Sequence, residues 1–205
     1  MKFSNRLEKI TIIPEKNKKY FWGYPDNVVV VGVRADGKEN FMPCVWNVGL
    51  SYDPFLFGVS IGNDRHTYEL MEKAESFTIN FVEFKHAQTI RALGRSTGKE
   101  IDKEEGFNLK VSEAEKINAP VLDLAYCTYE CMKKDEKRFG DHTLFVGEVV
   151  SIKIEKRAIG DYQLLNAKEI LPLVYLGVDH YITTDPEKLL SLKELPFHYK
   201  DEKPK

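Results

Sequence analysis

Hydrophobic positions along the chain recur mostly with a period of two, in short runs broken by turn residues, which predicts strands more than helices. Residues 28–33 (VVVVGV) are β-branched apart from Gly32, the composition of a strand buried on both faces. Asp36-Gly37 predicts a tight hairpin after it, and the returning arm spans residues 39–46. Pro43 lies within that arm and cannot donate a ladder hydrogen bond, so the arm is expected to leave the sheet or bulge there. Asp53-Pro54 marks the next turn and residues 55–61 (FLFGVSI) the next strand.

A helical period follows over residues 67–73, with Leu70 and Met71 on one face and Glu69 and Lys73 spaced i,i+4. Asn63 or Asp64 stands where its N-cap is expected. Residues 76–82 (SFTINFV) alternate as a strand, and residues 86–93 read as a short helix stopped by Gly94. Residues 94–119 are polar and aperiodic, the mark of a functional or mobile connection. Residues 121–132 and 143–154 predict strands, the second bent or bulged at Gly147. Residues 171–177 and 178–182 supply shorter ones, and the charged segment 199–205 is expected to fray. About seven or eight strands against two or three short helices, without helix–strand alternation, exclude a doubly wound sheet. They predict one mainly antiparallel β-barrel domain over residues 1–205, its core at about 20–185.

Composition narrows the function. The 205 residues are 42% hydrophobic and include 12 Phe, 10 Tyr and 2 Trp, enough for a folded domain with a sizeable core. Thirty Lys and Arg stand against 32 Asp and Glu, for a net charge of −2. Without a basic excess no nucleic-acid partner is expected, although a local basic pocket for a small anion is compatible with the balance. The longest strongly apolar run is residues 28–33, against about 20 residues for a membrane-spanning helix. The N-terminal residues carry neither an apolar signal core nor a small-residue cleavage site. No membrane association and a cytoplasmic location are the expectations. Cys44, Cys127 and Cys131 are an odd set expected to stay reduced. Cys127 and Cys131 lack a histidine at zinc-site spacing and read as small core residues.

Few motifs carry chemistry. Gly94-Arg95-Ser96-Thr97-Gly98-Lys99 is one residue short of a Walker phosphate loop, and Glu100 replaces its Ser or Thr. No G-x-G-x-x-G, H-E-x-x-H or G-x-S-x-G occurs, which removes specific support for Rossmann, zinc-protease and serine-hydrolase readings. The turn Asn63-Asp64-Arg65-His66-Thr67 joins a strand to a helix. It reads either as an ordinary capping turn with a solvated arginine, or as a phosphate seat built from helix N-terminal amides, Arg65 and the Thr67 hydroxyl. Gly140-Asp141-His142-Thr143 is either a tight turn or a bend that aims His142 at a ligand on a barrel rim.

Four stretches in order resemble the flavin reductase-like, FMN-binding split-barrel family, close to flavoredoxins. They are NVVVVGVRADGKENFMPCVWN, SIGNDRHTYELMEKAESFTINFV, LGRSTGKEIDKEEGFNL and FGDHTLFVGEV, with LPLVYLGVDHY a weaker fifth. The resemblance implies an antiparallel Greek-key split β-barrel with a few short helices, a homodimer, and FMN near its interface. It implies that Arg65 and Thr67 hold the phosphate with Ser60 nearby, and that Ser96, Thr97 and Lys103 approach from the long loop. Met42, Pro43, Cys44, Val45, Trp46 and Asn47 would line the isoalloxazine and ribityl chain. Asn80 and Lys85 match a further FMN-contacting stretch, His142 would lie at the open flavin face, and Tyr175 near the pocket. The implied activity is electron transfer from NADH or NADPH through FMN to a flavin, ferric or protein acceptor. The alternative is an FMN electron carrier without its own NAD(P)H activity. The cofactor carries the hard chemistry in such proteins, so no essential general base is expected.

Overall fold

The computed structural model describes residues 23–190, so the expected fraying of residues 199–205 lies outside the described residues. The chain forms β1 (Asp26–Asn27), β2 (Val29–Ala35), β3 (Lys38–Cys44), β4 (Asn47–Tyr52) and β5 (Phe55–Gly62), then α1 (His66–Lys73) and β6 (Ser76–Val82). There follow α2 (Ala87–Arg95), α3 (Lys103–Gly106), β7 (Val111–Glu113) and β8 (Pro120–Leu122). The long strands β9 (Ala125–Phe139) and β10 (His142–Ile154) precede β11 (Val174–Gly177) and β12 (His180–Ile182). Among the described residues no helix is long and apolar enough to cross a membrane.

Seven strands make one antiparallel sheet in the order β3-β2-β6-β9-β10-β5-β4. It curls on itself because its inward residues share one core. Val29, Val31 and Val33 of β2 meet Val59 and Ile61 of β5, Phe77 and Ile79 of β6 and Phe145 of β10, and Leu70 and Met71 of α1 cap that cluster. The curl brings the end of β3 against β5, where Cys44 Sγ lies 3.6 Å from Ser60 O. Ser60 N, donating to Trp46 O at 2.8 Å, extends the β4–β5 ladder into the β3–β4 corner. The alternate residues of the same valine run, Val28 and Val30, pack beneath Ile90 and Leu93 of α2. The run is thus buried on both faces, and each such side chain contributes about 1.5–3 kcal/mol of burial free energy. The three cysteines are free thiols in this interior.

Local signals explain most boundaries. Asp36 and Gly37 have φ of 52° and 71°, the paired left-handed residues that a two-residue hairpin needs. Gly147 sits at the register shift in β10, and a Cβ there would lie 2.7 Å from both the Cys131 Cβ and the Phe77 ring.

Several expectations are corrected. The β3 arm neither leaves the sheet nor bulges at Pro43, which pairs with Val30 in unbroken register. β3 is an edge strand, where a missing N–H does not interrupt a ladder. Neither Asn63 nor Asp64 caps α1; Arg65 occupies the N-cap in extended conformation and no side chain caps the helix. Asn63 instead bridges to the β9–β10 corner, donating to Gly140 O at 3.2 Å and accepting from Thr143 Oγ1 at 2.7 Å. Gly94 does not stop α2, which runs one residue further before Ser96 turns extended. The long polar connection contains α3, capped by the Asp102 carboxylate, and β7. The expected strand over residues 121–132 is two strands split at Asp123-Leu124. The second reaches Phe139 because its charged end gains backbone pairing with β10. Strand structure near the C-terminal end begins only at Val174.

Candidate functional site

A cavity of about 320 Å³ opens where the end of β3 meets β5, between the β3–β4 corner, the β5–α1 turn and the loop after α2. Its two ends differ in chemistry.

The inner end is rich in donors. Thr67, in the first turn of α1, is buried, and its Oγ1 accepts a 2.7 Å hydrogen bond from Asn40 Nδ2 of β3. The first amides of a helix have no intrahelical acceptor, and here no side chain caps them. Lys103, from α3, is 5% exposed, and its ammonium donates to the carbonyls of Phe41 and Leu93, each at 2.9 Å. No carboxylate lies within 4.0 Å of it among the described residues, and burial pushes its pKa down to about 8. Arg65 reaches the rim with an exposed guanidinium, its Nε 3.4 Å from Asp64 Oδ1. The loop holding Ser96, Thr97 and Gly98 closes this end and is tied to α1 by Lys99 and Glu69 at 2.5 Å. Glu69 also meets His66 at 3.1 Å. A Cβ at Gly98 would lie 2.5 Å from Asn40 Oδ1 and 2.9 Å from His66 Cδ2, so a side chain there would displace both.

The outer end is aromatic and apolar. Met42, Pro43, Cys44 and Val45 form its wall, with Ser60 opposite. Burial pushes the Cys44 thiol up to about 12, so it is neutral and unreactive as a nucleophile. At the mouth Trp46 stacks on His142, ring centroids 4.5 Å apart and tilted by 43°. The Trp46 indole N–H donates to Tyr24 Oη at 3.2 Å, and His142 Nδ1 lies 2.8 Å from Asp141 Oδ1. The cavity is therefore buried and rich in hydrogen-bond donors at one end, with flat aromatic surfaces at the other.

Residues 21–182 match the model of the flavin reductase like domain. The chain belongs to the flavin reductase-like family. An FMN-binding protein from Thermus thermophilus, with bound 1-cyclohex-2-enone, is 33% identical with a TM-score of 0.77, over 90% of this chain and 98% of that one. Flavoredoxin from Methanosarcina acetivorans is 25% identical with a TM-score of 0.79, over 91% and 97%. An uncharacterized protein of Pyrococcus abyssi is 32% identical over 135 residues, 66% of this chain and 77% of its own. The expected fold, a mainly antiparallel split barrel with a few short helices, holds, and the family places the chain among flavin-related redox proteins.

The residues that family resemblance singled out divide into two groups. Met42, Pro43, Cys44, Val45, Trp46, Ser60, Arg65, Thr67, Ser96, Thr97, Lys103 and His142 all line the cavity. Four do not. Asn47 supports the corner from behind, its Nδ2 donating to Cys44 O and Val45 O at 3.2 and 3.0 Å. Asn80 is buried between strands, donating to Val30 O and accepting from Leu122 N and Thr128 Oγ1. Lys85 is paired with Glu83 at 2.6 Å on the surface. Tyr175 stands edge-on to Tyr24 at 5.5 Å, one layer behind the mouth. Asn40, Tyr24, His66 and Gly98 line the cavity without having been singled out. Asn40 had a readable signal, since the period-two face that carries Met42 and Cys44 also carries Asn40. His66 and Gly98 lie inside two of the quoted motifs without a role of their own, and Tyr24 had no signal.

Proposed function

We propose that this chain binds FMN in the cavity and serves as an oxidoreductase that takes electrons from NADH or NADPH and delivers them to a flavin, ferric or protein acceptor. The observation that carries the reading is the buried Lys103 ammonium, which faces the same cavity as the Thr67 hydroxyl and has no carboxylate partner among the described residues. A buried cation of this kind is stabilised by an anion, and a phosphomonoester supplies about two negative charges and several acceptor oxygens. The residues present fit FMN in both halves: a donor-rich seat for phosphate, and an apolar, aromatic slot for a flat ring.

Lys103, Thr67 and Arg65 would hold the phosphate, with Ser96 and Thr97 closing over it and Ser60 beside it. The wall from Met42 to Trp46 would exclude water from one ring face, and Asn47 keeps that corner in shape. Bound FMN supplies hydride and single-electron chemistry. His142, oriented by Asp141 and stacked on Trp46, would position a nicotinamide or tune the ring's electron affinity. It has no proton to abstract in this role. The Thermus thermophilus protein, named for FMN binding and 33% identical, supports the cofactor assignment.

A second reading, an FMN electron carrier without NAD(P)H chemistry, is favoured by the likeness to a flavoredoxin. We also propose one domain, a cytoplasmic location and a homodimer, the last supported by the exposed apolar side chains of edge strand β4. The deciding experiment is an absorbance spectrum of purified protein before and after anaerobic NADH and NADPH. Flavin bands that bleach with either nucleotide support the reductase. Bands that persist with both but bleach with dithionite support the carrier. No flavin, even after incubation with FMN, overturns both.

A further inference from the structure

Two buried polar atoms at the inner end of the cavity are left incomplete by the protein. Thr67 Oγ1 accepts from Asn40 Nδ2 at 2.7 Å, yet its own proton is donated to no acceptor among the described residues. Asn40 Oδ1, on a residue 3% exposed, has no hydrogen-bond partner among the described residues. Buried polar groups are rarely left so, and each one calls for a partner or a function. Both residues line the cavity, and the Lys103 ammonium is anchored on the carbonyl of Phe41, next in sequence to Asn40.

The pair can be arranged in only two ways. With the amide nitrogen toward Thr67, the hydroxyl must accept, and its single proton is left for something else. With the amide turned over, Thr67 donates to the amide oxygen and is lost as a donor. The first arrangement leaves the hydroxyl able to serve an acceptor-only ligand in the cavity. Its neighbours there, Lys103 and the uncapped first turn of α1, also favour an anion.

We infer that Asn40 is a positioning residue for the phosphate: its amide N–H occupies the acceptor lone pair of Thr67 and so directs the Thr67 hydroxyl proton at the ligand. The inference rests on the FMN reading of the cavity and adds to it a residue that sets preference for the phosphorylated flavin over riboflavin. Gly98 belongs to the same device, because any side chain there would push against the Asn40 amide and turn it.

The test compares FMN with riboflavin binding to purified apoprotein by quenching of flavin fluorescence. Asn40→Ala removes the directing N–H. Asn40→Asp, nearly isosteric, can only accept, so it draws the Thr67 proton away from the cavity and adds a repelling charge. FMN affinity is expected to fall about ten-fold in Asn40→Ala, as for loss of a hydrogen bond to a charged group, and further in Asn40→Asp. Riboflavin affinity is expected to stay at the wild-type value, which also reports an intact slot. In a Thr67→Val background, Asn40→Ala should have no further effect, because it acts through the hydroxyl. Equal losses for FMN and riboflavin, no loss in either variant, or losses that add to those of Thr67→Val would overturn the inference. A wild-type protein that binds FMN no better than riboflavin would instead overturn the phosphate seat itself, so the two failures are told apart.

Discussion

Lys103 Nζ lies 2.9 Å from the carbonyl oxygen of Phe41, which fixes a positive charge from the long loop against the inside of an edge strand. Burial depresses its pKa to about 8, well below the value of about 10.4 for an unfolded lysine. Between those two values the unfolded chain binds the proton and the folded apoprotein releases it, so apoprotein stability should rise with pH across the window. Below about 8 both states are protonated, and the full penalty of burying the charge is present. Lys103→Met should stabilise the apoprotein at pH 7 by about 1–3 kcal/mol and remove the rise. The same variant should lose FMN affinity, and in the wild type that affinity should weaken as pH climbs past about 8. Thermal melts of apoprotein at pH 7 and 9.5, wild type against variant, check the sign.

The stack of Trp46 on His142 makes a separate prediction at the other end of the slot. His142→Ala removes one flat surface and the Asp141 contact without touching the phosphate seat. FMN should remain bound, while the rate of reduction by NAD(P)H should fall roughly ten-fold through lost orientation, or the flavin midpoint potential should shift. Stopped-flow reduction and a redox titration measure the two. If neither moves, His142 has no part in the chemistry.

Gly32 gives a prediction about the fold alone. A Cβ there would lie 2.4 Å from Thr78 Oγ1 and 2.6 Å from Pro120 O, and the Thr78 hydroxyl already donates to that carbonyl at 2.6 Å. Gly32→Ala must push the β7–β8 ribbon off β2 and break that bond. The expected loss is about 1–3 kcal/mol, measured by chemical denaturation. A melting midpoint equal to wild type would show that the ribbon moves freely.

What the sequence made readable follows from the range of the interactions involved. The valine run, the Asp36-Gly37 turn and the Gly147 bend are set by near neighbours, so composition and spacing were enough. Pro43 misled because its meaning depends on β3 being an edge strand, which only the whole sheet order decides. The missing cap of α1 has the same origin: Asn63 has the right side chain, but the β9–β10 corner claims it from 80 residues away in the case of Thr143. Within the site, Arg65, Thr67 and the β3 corner were readable through family letters. Asn80 falls outside the cavity, and a buried asparagine that ties strands together looks, in sequence, like one that faces a ligand. Tyr24 enters the mouth only through tertiary packing on Trp46 and Tyr175.

Edge strand β4 carries the last prediction. Val48, Leu50 and Tyr52 are 50%, 44% and 99% exposed on a strand with one side unpaired, and Leu50 is the extra residue of a bulge against β5. Native proteins usually cover or charge such an edge, because a row of free N–H and C=O groups invites pairing with another chain. Leu50 also lies over Gly58 beside Leu144, so the apolar surface continues from the edge across the outer face of β5 and β10. A second copy of the chain is the occupant that would bury this face in the proposed homodimer. Leu50→Lys should then lower the dimer's association constant about ten-fold or more, as expected for a charge placed in a desolvated interface centre. Sedimentation velocity over a concentration series reads that change directly. A wild-type protein that sediments as a monomer at every concentration would remove the homodimer proposal, and a dimer unaffected by Leu50→Lys would move its interface to another face.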